Sequence, residues 1–270
     1  MPQGTTFGRC FARDYEIGRS RAMRELERSV LGCDYGGTSW TTRDEAGEVA
    51  EWLALRPGVR LLEVGAGAGW PGLYFTQRTG CDVVLTDVPM TALRVALERA
   101  VQDGTEERCA FTVADGASLP FRHASFDALS HSDVLCCMPA KLSLLRECRR
   151  VARPGARMAF SVIAPAPGLS ENERRLAIES GPEFVDLDGD YPLLLDQSHW
   201  RVMWQLDVTA RFAQSLRTSL RAMSANAKAL IDVLGSDDFA GRVKRRESTL
   251  EGIDRGVLVR QIFAAQTASA

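Results

Sequence analysis

The stretch Leu61-Leu62-Glu63-Val64-Gly65-Ala66-Gly67-Ala68-Gly69-Trp70-Pro71-Gly72 decides the fold. A short apolar run ends in an acid and then breaks into three glycines at alternate positions. This pattern reads as a buried parallel strand that delivers the chain into a tight turn before a helix. Glycine suits that turn because it accepts positive φ and lets the backbone approach a ligand closely. Dinucleotide-binding dehydrogenases use a similar strand-to-helix turn. Two details depart from them: Glu63 sits inside the strand end, and Trp70-Pro71 breaks the G-x-G-x-x-G spacing at its last position.

Working outward, strands near 59–64, 82–86, 109–113, 125–130 and 156–163 alternate with helical segments. Such alternation predicts an α/β fold with parallel strands, right-handed crossovers and a doubly wound, Rossmann-like sheet. Before the first strand, residues 15–31 read as helix, 34–42 as a loop of small residues, and a second helix runs to about Leu55, capped by Thr42 or Asp44. After Ala164-Pro165-Ala166-Pro167-Gly168 the rhythm changes. A helix near 170–180, a polar-acidic loop at 182–192 and a strand at 202–208 precede a helical stretch from about 210 to 250, interrupted at Gly235. The run Gly256-Val257-Leu258-Val259-Arg260-Gln261-Ile262-Phe263-Ala264 reads as a final strand.

Acids close the next strands in turn: Asp87 in Val83-Val84-Leu85-Thr86-Asp87-Val88, and Asp115 in Val113-Ala114-Asp115-Gly116-Ala117. With Glu63, Gly65, Gly67 and Gly69, the Phe126-Asp127 pair and the turn Ala152-Arg153-Pro154-Gly155, these residues resemble the class I S-adenosylmethionine (SAM) dependent methyltransferases. The resemblance covers about residues 58–165. It implies a seven-stranded sheet with the last strand antiparallel, and SAM as cofactor. It further implies one domain over 1–270: an N-terminal lid and first helix (1–55), a cofactor-binding core (56–165), a substrate-side region with a helical insertion (166–256), and the last strand and tail (257–270).

The chemistry of SAM suits these positions. Backbone groups of Gly65, Ala66 and Gly67 can meet its amino-acid portion without side-chain obstruction. Asp87, about twenty residues past the loop, is placed to accept from both ribose hydroxyls; Val88 would lie against the adenine. By resemblance, Asp115 accepts from the adenine amino group, with the amides of Gly116 or Ala117 nearby. Glu63 would hold the loop or reach the ammonium group. Trp40 and Thr41 are expected as lid residues over the cofactor, with Tyr35 beside them; a core anchor under the first helix is the other reading of Trp40.

The segment Ser130-His131-Ser132-Asp133 ends the fourth strand, where the methyl group would sit. Ser132 is expected at the cofactor. His131 is a candidate general base near neutral pH, and Asp133 a group that orients an amine or balances its charge. His199, beside Trp200 and Trp204, is a further candidate. The whole-chain layout is similar to phosphoethanolamine and sarcosine-type N-methyltransferases, which share an N-terminal lid and a long helical segment before the last strand. The phosphoethanolamine group carries an Asp matched by Asp133 and a His four residues on. This chain has Cys137 there, so neither that catalytic arrangement nor its phosphobase substrate carries over.

Composition bounds the partners. The 270 residues carry a net charge of −2, with 45% hydrophobic and 25% charged residues. No global basic field draws nucleic acid, and no run of about 18 apolar residues spans a membrane. The beginning, Met1-Pro2-Gln3-Gly4-Thr5, has no signal-peptide character. Seven cysteines without a CxxC pair fit a reducing cytosol. Three scattered histidines give no metal site, and Arg242, Lys244, Arg245 and Arg246 read as a solvated helix face. The expected acceptor is a small molecule methylated at O, N or C, such as a natural-product intermediate. A fold that binds ligand or cyclises it without methyl transfer is the alternative.

Overall fold

In the computed structural model, which describes residues 13–268, seven strands form one sheet in the order β3-β2-β1-β4-β5-β7-β6. The strands are β1 (Arg60–Val64), β2 (Asp82–Asp87), β3 (Cys109–Val113), β4 (Phe126–Ser132), β5 (Ala152–Pro165), β6 (Arg201–Asp207) and β7 (Leu258–Gln266). β1 to β5 pair in parallel, while β7 runs antiparallel between β5 and β6. Strand order reverses between β1 and β4, so their carboxyl ends open the crevice where this class of sheet binds ligand. The expected beginning and the last two residues of the tail lie outside the described residues.

Apolar side chains alternate across the sheet because successive residues of a strand point to opposite faces. Leu62, Val64, Leu129, Phe160 and Phe263 belong to one core layer. Leu61, Leu85, Ala128 and Ile262 belong to the other, with Phe75 and Trp70. Burying each such side chain contributes roughly 1.5–3 kcal/mol, so the strands behind the crevice form a fixed base.

The helices are α1 (Arg21–Leu31), α2 (Arg43–Trp52), α3 (Gly72–Thr79), α4 (Met90–Gln102), α5 (Lys141–Val151), α6 (Glu171–Ser180), α7 (Tyr191–Gln197), α8 (Thr209–Ala225), α9 (Ala227–Leu234) and α10 (Ser236–Asp254). Thr42 caps α2 through a capping box with Glu45, as the T-x-x-E spacing dictates. The helix expected over 15–31 is divided: residues 13–18 are helical, and Ser20 then accepts from the Met23 N–H to start α1 anew. The helical stretch beyond 209 breaks at Asn226 as well as at Gly235. Asn226 ends one helix and starts the next, and its side-chain amide donates to the Ala222 carbonyl. Residues 152–155, expected as a turn, form the irregular start of β5, where its register with β4 shifts. The acidic loop is shorter than expected because Asp190 caps α7 through the Leu193 N–H. α8 packs on α1 and α10, so the insertion and the N-terminal helices meet above the sheet.

Candidate active site

The glycine turn has the backbone that its sequence demands. Gly65, Gly67 and Gly69 have φ of 68°, 52° and 98°, a region that disfavours residues with a Cβ. A Cβ on Gly65 would meet Val134 at 2.5 Å, and one on Gly67 would meet the Tyr15 hydroxyl at 2.8 Å. Asp87 braces this turn: one carboxylate oxygen accepts from the Gly67 N–H at 2.7 Å and the other from the Val88 N–H at 2.7 Å. Burial pushes its carboxyl up to about 6. Val88 beside it is 53% exposed, an apolar surface open to a flat ring. On the neighbouring strand end, the exposed Asp115 turns back to accept from the Ala117 N–H at 2.9 Å. Gly116 lies so close to Leu144 and Val64 that a Cβ would come within 2.9 Å of each.

Glu63 is fully buried, and neither carboxylate oxygen makes a hydrogen bond by geometry among the described residues. Burial pushes it up to about 8, and the Ser130 hydroxyl beside it opposes that shift only in part. A buried acid without a strong partner, under a glycine turn, suits the ammonium of an amino-acid ligand. The residues present therefore fit SAM: Glu63 for the ammonium, the turn's backbone for the amino-acid portion, Asp87 for the ribose.

The raised value also sets a stability effect. A carboxyl whose folded value lies above its unfolded one favours folding while protonated, and that contribution is lost as pH rises toward about 8. Glu63→Gln should therefore stabilise the ligand-free protein by roughly 2–3 kcal/mol near neutral pH, the gain shrinking toward about pH 5. Denaturant melts at both pH values check this; equal stability of variant and wild type at neutral pH would contradict it.

Other expected site residues are placed differently. His131 was expected to face the methyl group, but it shares its strand face with Leu129 and lies fully buried, its ring stacked 4.6 Å from Phe160. Neither ring nitrogen has a hydrogen-bond partner among the described residues, and burial drives it down to about 3. It stays neutral at physiological pH, with no described route to pass a proton. His199 is exposed in the turn after α7, where its carbonyl accepts from Arg149, rather than in an aromatic core. Ser132 is half-buried at the end of β4.

Asp133 is committed to a buried ion pair. One oxygen accepts from Arg260 Nε at 3.0 Å and from Ser161 Oγ at 3.0 Å. The other accepts from Arg260 Nη2 at 3.1 Å, the Ser39 hydroxyl at 3.1 Å and the Trp40 N–H at 2.9 Å. Burial alone would raise this carboxyl; the Arg260 guanidinium overrides that and holds it below the usual carboxylate range. Arg260 also donates to Glu45 at 3.0 Å and to Thr41 Oγ1 at 3.1 Å. The network thus ties the 39–45 segment to β4, β5 and β7.

Trp40 and Thr41, expected over the cofactor, are held in this tie. The Thr41 side chain is buried, and its carbonyl accepts from the Trp70 indole N–H at 2.8 Å, which joins the segment to the glycine turn. The Trp40 ring packs edge-on against Phe212 at 5.3 Å. Tyr35 is buried against Trp70 and under the Arg99 guanidinium. Sequence reasoning missed Tyr15, Glu45 and Arg260. The T-x-x-E spacing marks Glu45, and a lone Arg in an apolar strand, on the side of Leu258 and Ile262, marks Arg260 as inward. Nothing in the local sequence marks Tyr15.

An open α/β sheet with an acid-braced glycine turn at its switch point defines a nucleotide-like cofactor site. Residues 62–160 match the family model of a methyltransferase domain, and this core is a class I SAM-dependent methyltransferase domain. The chain is 29% identical to Methyltransferase GfsG of Streptomyces halstedii over 208 residues, covering 73% of this chain and 72% of that one. It is 35% identical to 27-O-demethylrifamycin SV methyltransferase of Amycolatopsis mediterranei over 133 residues, 47% of this chain and 48% of that one. This chain thus spans less than half of the latter relative. Its fold is similar to that of the [4+2]-cyclase SpnF, with a TM-score of 0.75 at 19% identity, covering 97% and 95% of the two chains.

Proposed function

We propose that this protein moves the sulfonium methyl of SAM onto a small-molecule acceptor, a natural-product intermediate being the expected kind. The observation that carries this reading is the constellation at the switch point: buried Glu63, the left-handed glycine turn, and Asp87 clasping Gly67. When bound, SAM supplies a methyl group on a cationic sulfur, ready for in-line attack. The chain's residues then bind, orient and exclude water. Glu63 and Asp87 hold the two polar ends of the cofactor, Val88 and the 115–117 turn face its base, and Tyr15 and Val134 close over the glycines. Positioning of the nucleophile behind the methyl carbon is the main catalytic device such a site offers. The relative that methylates 27-O-demethylrifamycin SV supports a natural-product oxygen as acceptor.

The acceptor is expected between the N-terminal segment and the insertion helices, which meet over the crevice. No helix among the described residues is long and apolar enough to cross a membrane; six described cysteines are free, which supports a reducing compartment. In this reading His131 is a packing residue. His131→Leu should keep turnover within several-fold, because general-base catalysis is worth about 10²–10⁴ and this ring has no proton route. A hundredfold fall in kcat with the fold intact would return it to the chemistry.

The test is incubation with methyl-labelled SAM and a panel of hydroxylated polyketide and phenolic acceptors, followed by mass spectrometry. A labelled product supports the reading. Bound SAM with chemically changed acceptor but no label would instead favour the non-methylating alternative, to which the SpnF-like fold gives some weight.

A further inference from the structure

The helix face carrying Arg242, Lys244, Arg245 and Arg246 is only half solvated. Lys244 and Arg245 are exposed, but Arg242 turns inward to Asp14 and Asp238. Arg246 also turns inward, with its guanidinium 5.4 Å from the Trp40 ring centre. Its Nε donates to Ser219 Oγ at 2.9 Å and its Nη1 to the Arg242 carbonyl at 3.0 Å. Ser219 is itself buried, so the guanidinium is held in one orientation. No carboxylate lies within ion-pair distance of Arg246 among the described residues, while Arg242 has two.

A cation partly withdrawn from water without an ion-pair partner is costly. Burial, with Arg242 and Arg245 beside it, lowers Arg246 to about 10, and Asp14, beyond ion-pair distance, opposes that shift only in part. Nη2 has no described partner, and a guanidinium matches a carboxylate or phosphate through paired N–H groups. On the other side of Trp40, the acid that would meet an ammonium is unavailable. The backbone N–H of Trp40 and the Nε and Nη2 of Arg260 already occupy Asp133.

We infer that Arg246 is the anion-recognising residue of the acceptor cleft, so the acceptor carries a carboxylate, phosphate or similarly charged oxygen group rather than an ammonium. This rests on the methyltransferase reading and narrows it to a substrate class. Ser219 acts as a positioning residue that holds the fork toward the cleft.

The test uses the full chain loaded with S-adenosylhomocysteine (SAH), whose binding is measured first by calorimetry. Sodium phosphate, sodium benzoate and tetramethylammonium chloride are then titrated at constant ionic strength, followed by thermal shift. Wild type should bind phosphate or benzoate and ignore tetramethylammonium. Arg246→Gln should weaken that binding by about tenfold or more, the loss expected for a charge-assisted pair. Arg246→Lys should recover part of it, and exposed Lys244→Gln should leave it unchanged, all with SAH affinity intact. Equal anion binding in wild type and Arg246→Gln, no anion binding by wild type, or binding of tetramethylammonium alone would overturn the inference while the cofactor reading stands. Absence of SAH binding would overturn both.

Discussion

Arg260→Met is expected to lower the free energy of unfolding by about 3–5 kcal/mol, because removing one member of a buried ion pair leaves the other charged and unpaired. Arg260 is fully buried and donates to Asp133 through two nitrogens, to Glu45 and to Thr41. Without it, two carboxylates face each other's surroundings in the interior, and the 39–45 segment loses its tie to the sheet. Lys should rescue little, since a single ammonium cannot reproduce the planar fork. Replacing the acids as well, as in Arg260→Met with Asp133→Asn and Glu45→Gln, should return part of the loss, because the cost lies in stranded charge. Chemical denaturation of the three proteins checks this; a loss below about 1 kcal/mol for the single variant would mean the network is wetter and weaker than its geometry.

Asp87→Ala should weaken SAH binding about a hundredfold with the fold intact, a loss of roughly 2–3 kcal/mol typical of hydrogen bonds to a charged group. Two effects act together. The carboxylate offers acceptors to the ribose, and it also holds the Gly67 and Val88 amides that fix the turn. Asp87→Asn keeps one acceptor oxygen and should fall between. Unchanged affinity in Asp87→Ala by calorimetry would remove Asp87 from the cofactor site.

How much was legible follows from the range of each interaction. The glycine turn, its acid and the strand alternation are local patterns, and the sheet, its antiparallel last strand and the Thr42 capping box came out where the residues pointed. The acids closing β1 to β3 were legible for the same reason. Asp133 was misread because its partners Arg260 and Glu45 come from distant parts of the chain, and no local spacing announces an ion pair of that range. His131 was misread by position without parity. It lies near the end of the strand, but two residues from Leu129, which puts it on the face packed by Phe160. The basic run at 242–246 was read as one surface, although a helix of that length turns its residues through more than a full circle; packing on Trp40 and Ser219 then drew Arg246 inward.

The central claim is a SAM site built from Glu63, the glycine turn and Asp87. Isothermal titration with SAH, with NAD as control, tests it most directly. The account predicts micromolar or tighter binding of SAH, about −8 kcal/mol, accompanied by proton release near neutral pH as Glu63 ionises against the ammonium, and no binding of NAD. Absence of SAH binding, or binding of NAD in its place, would contradict it.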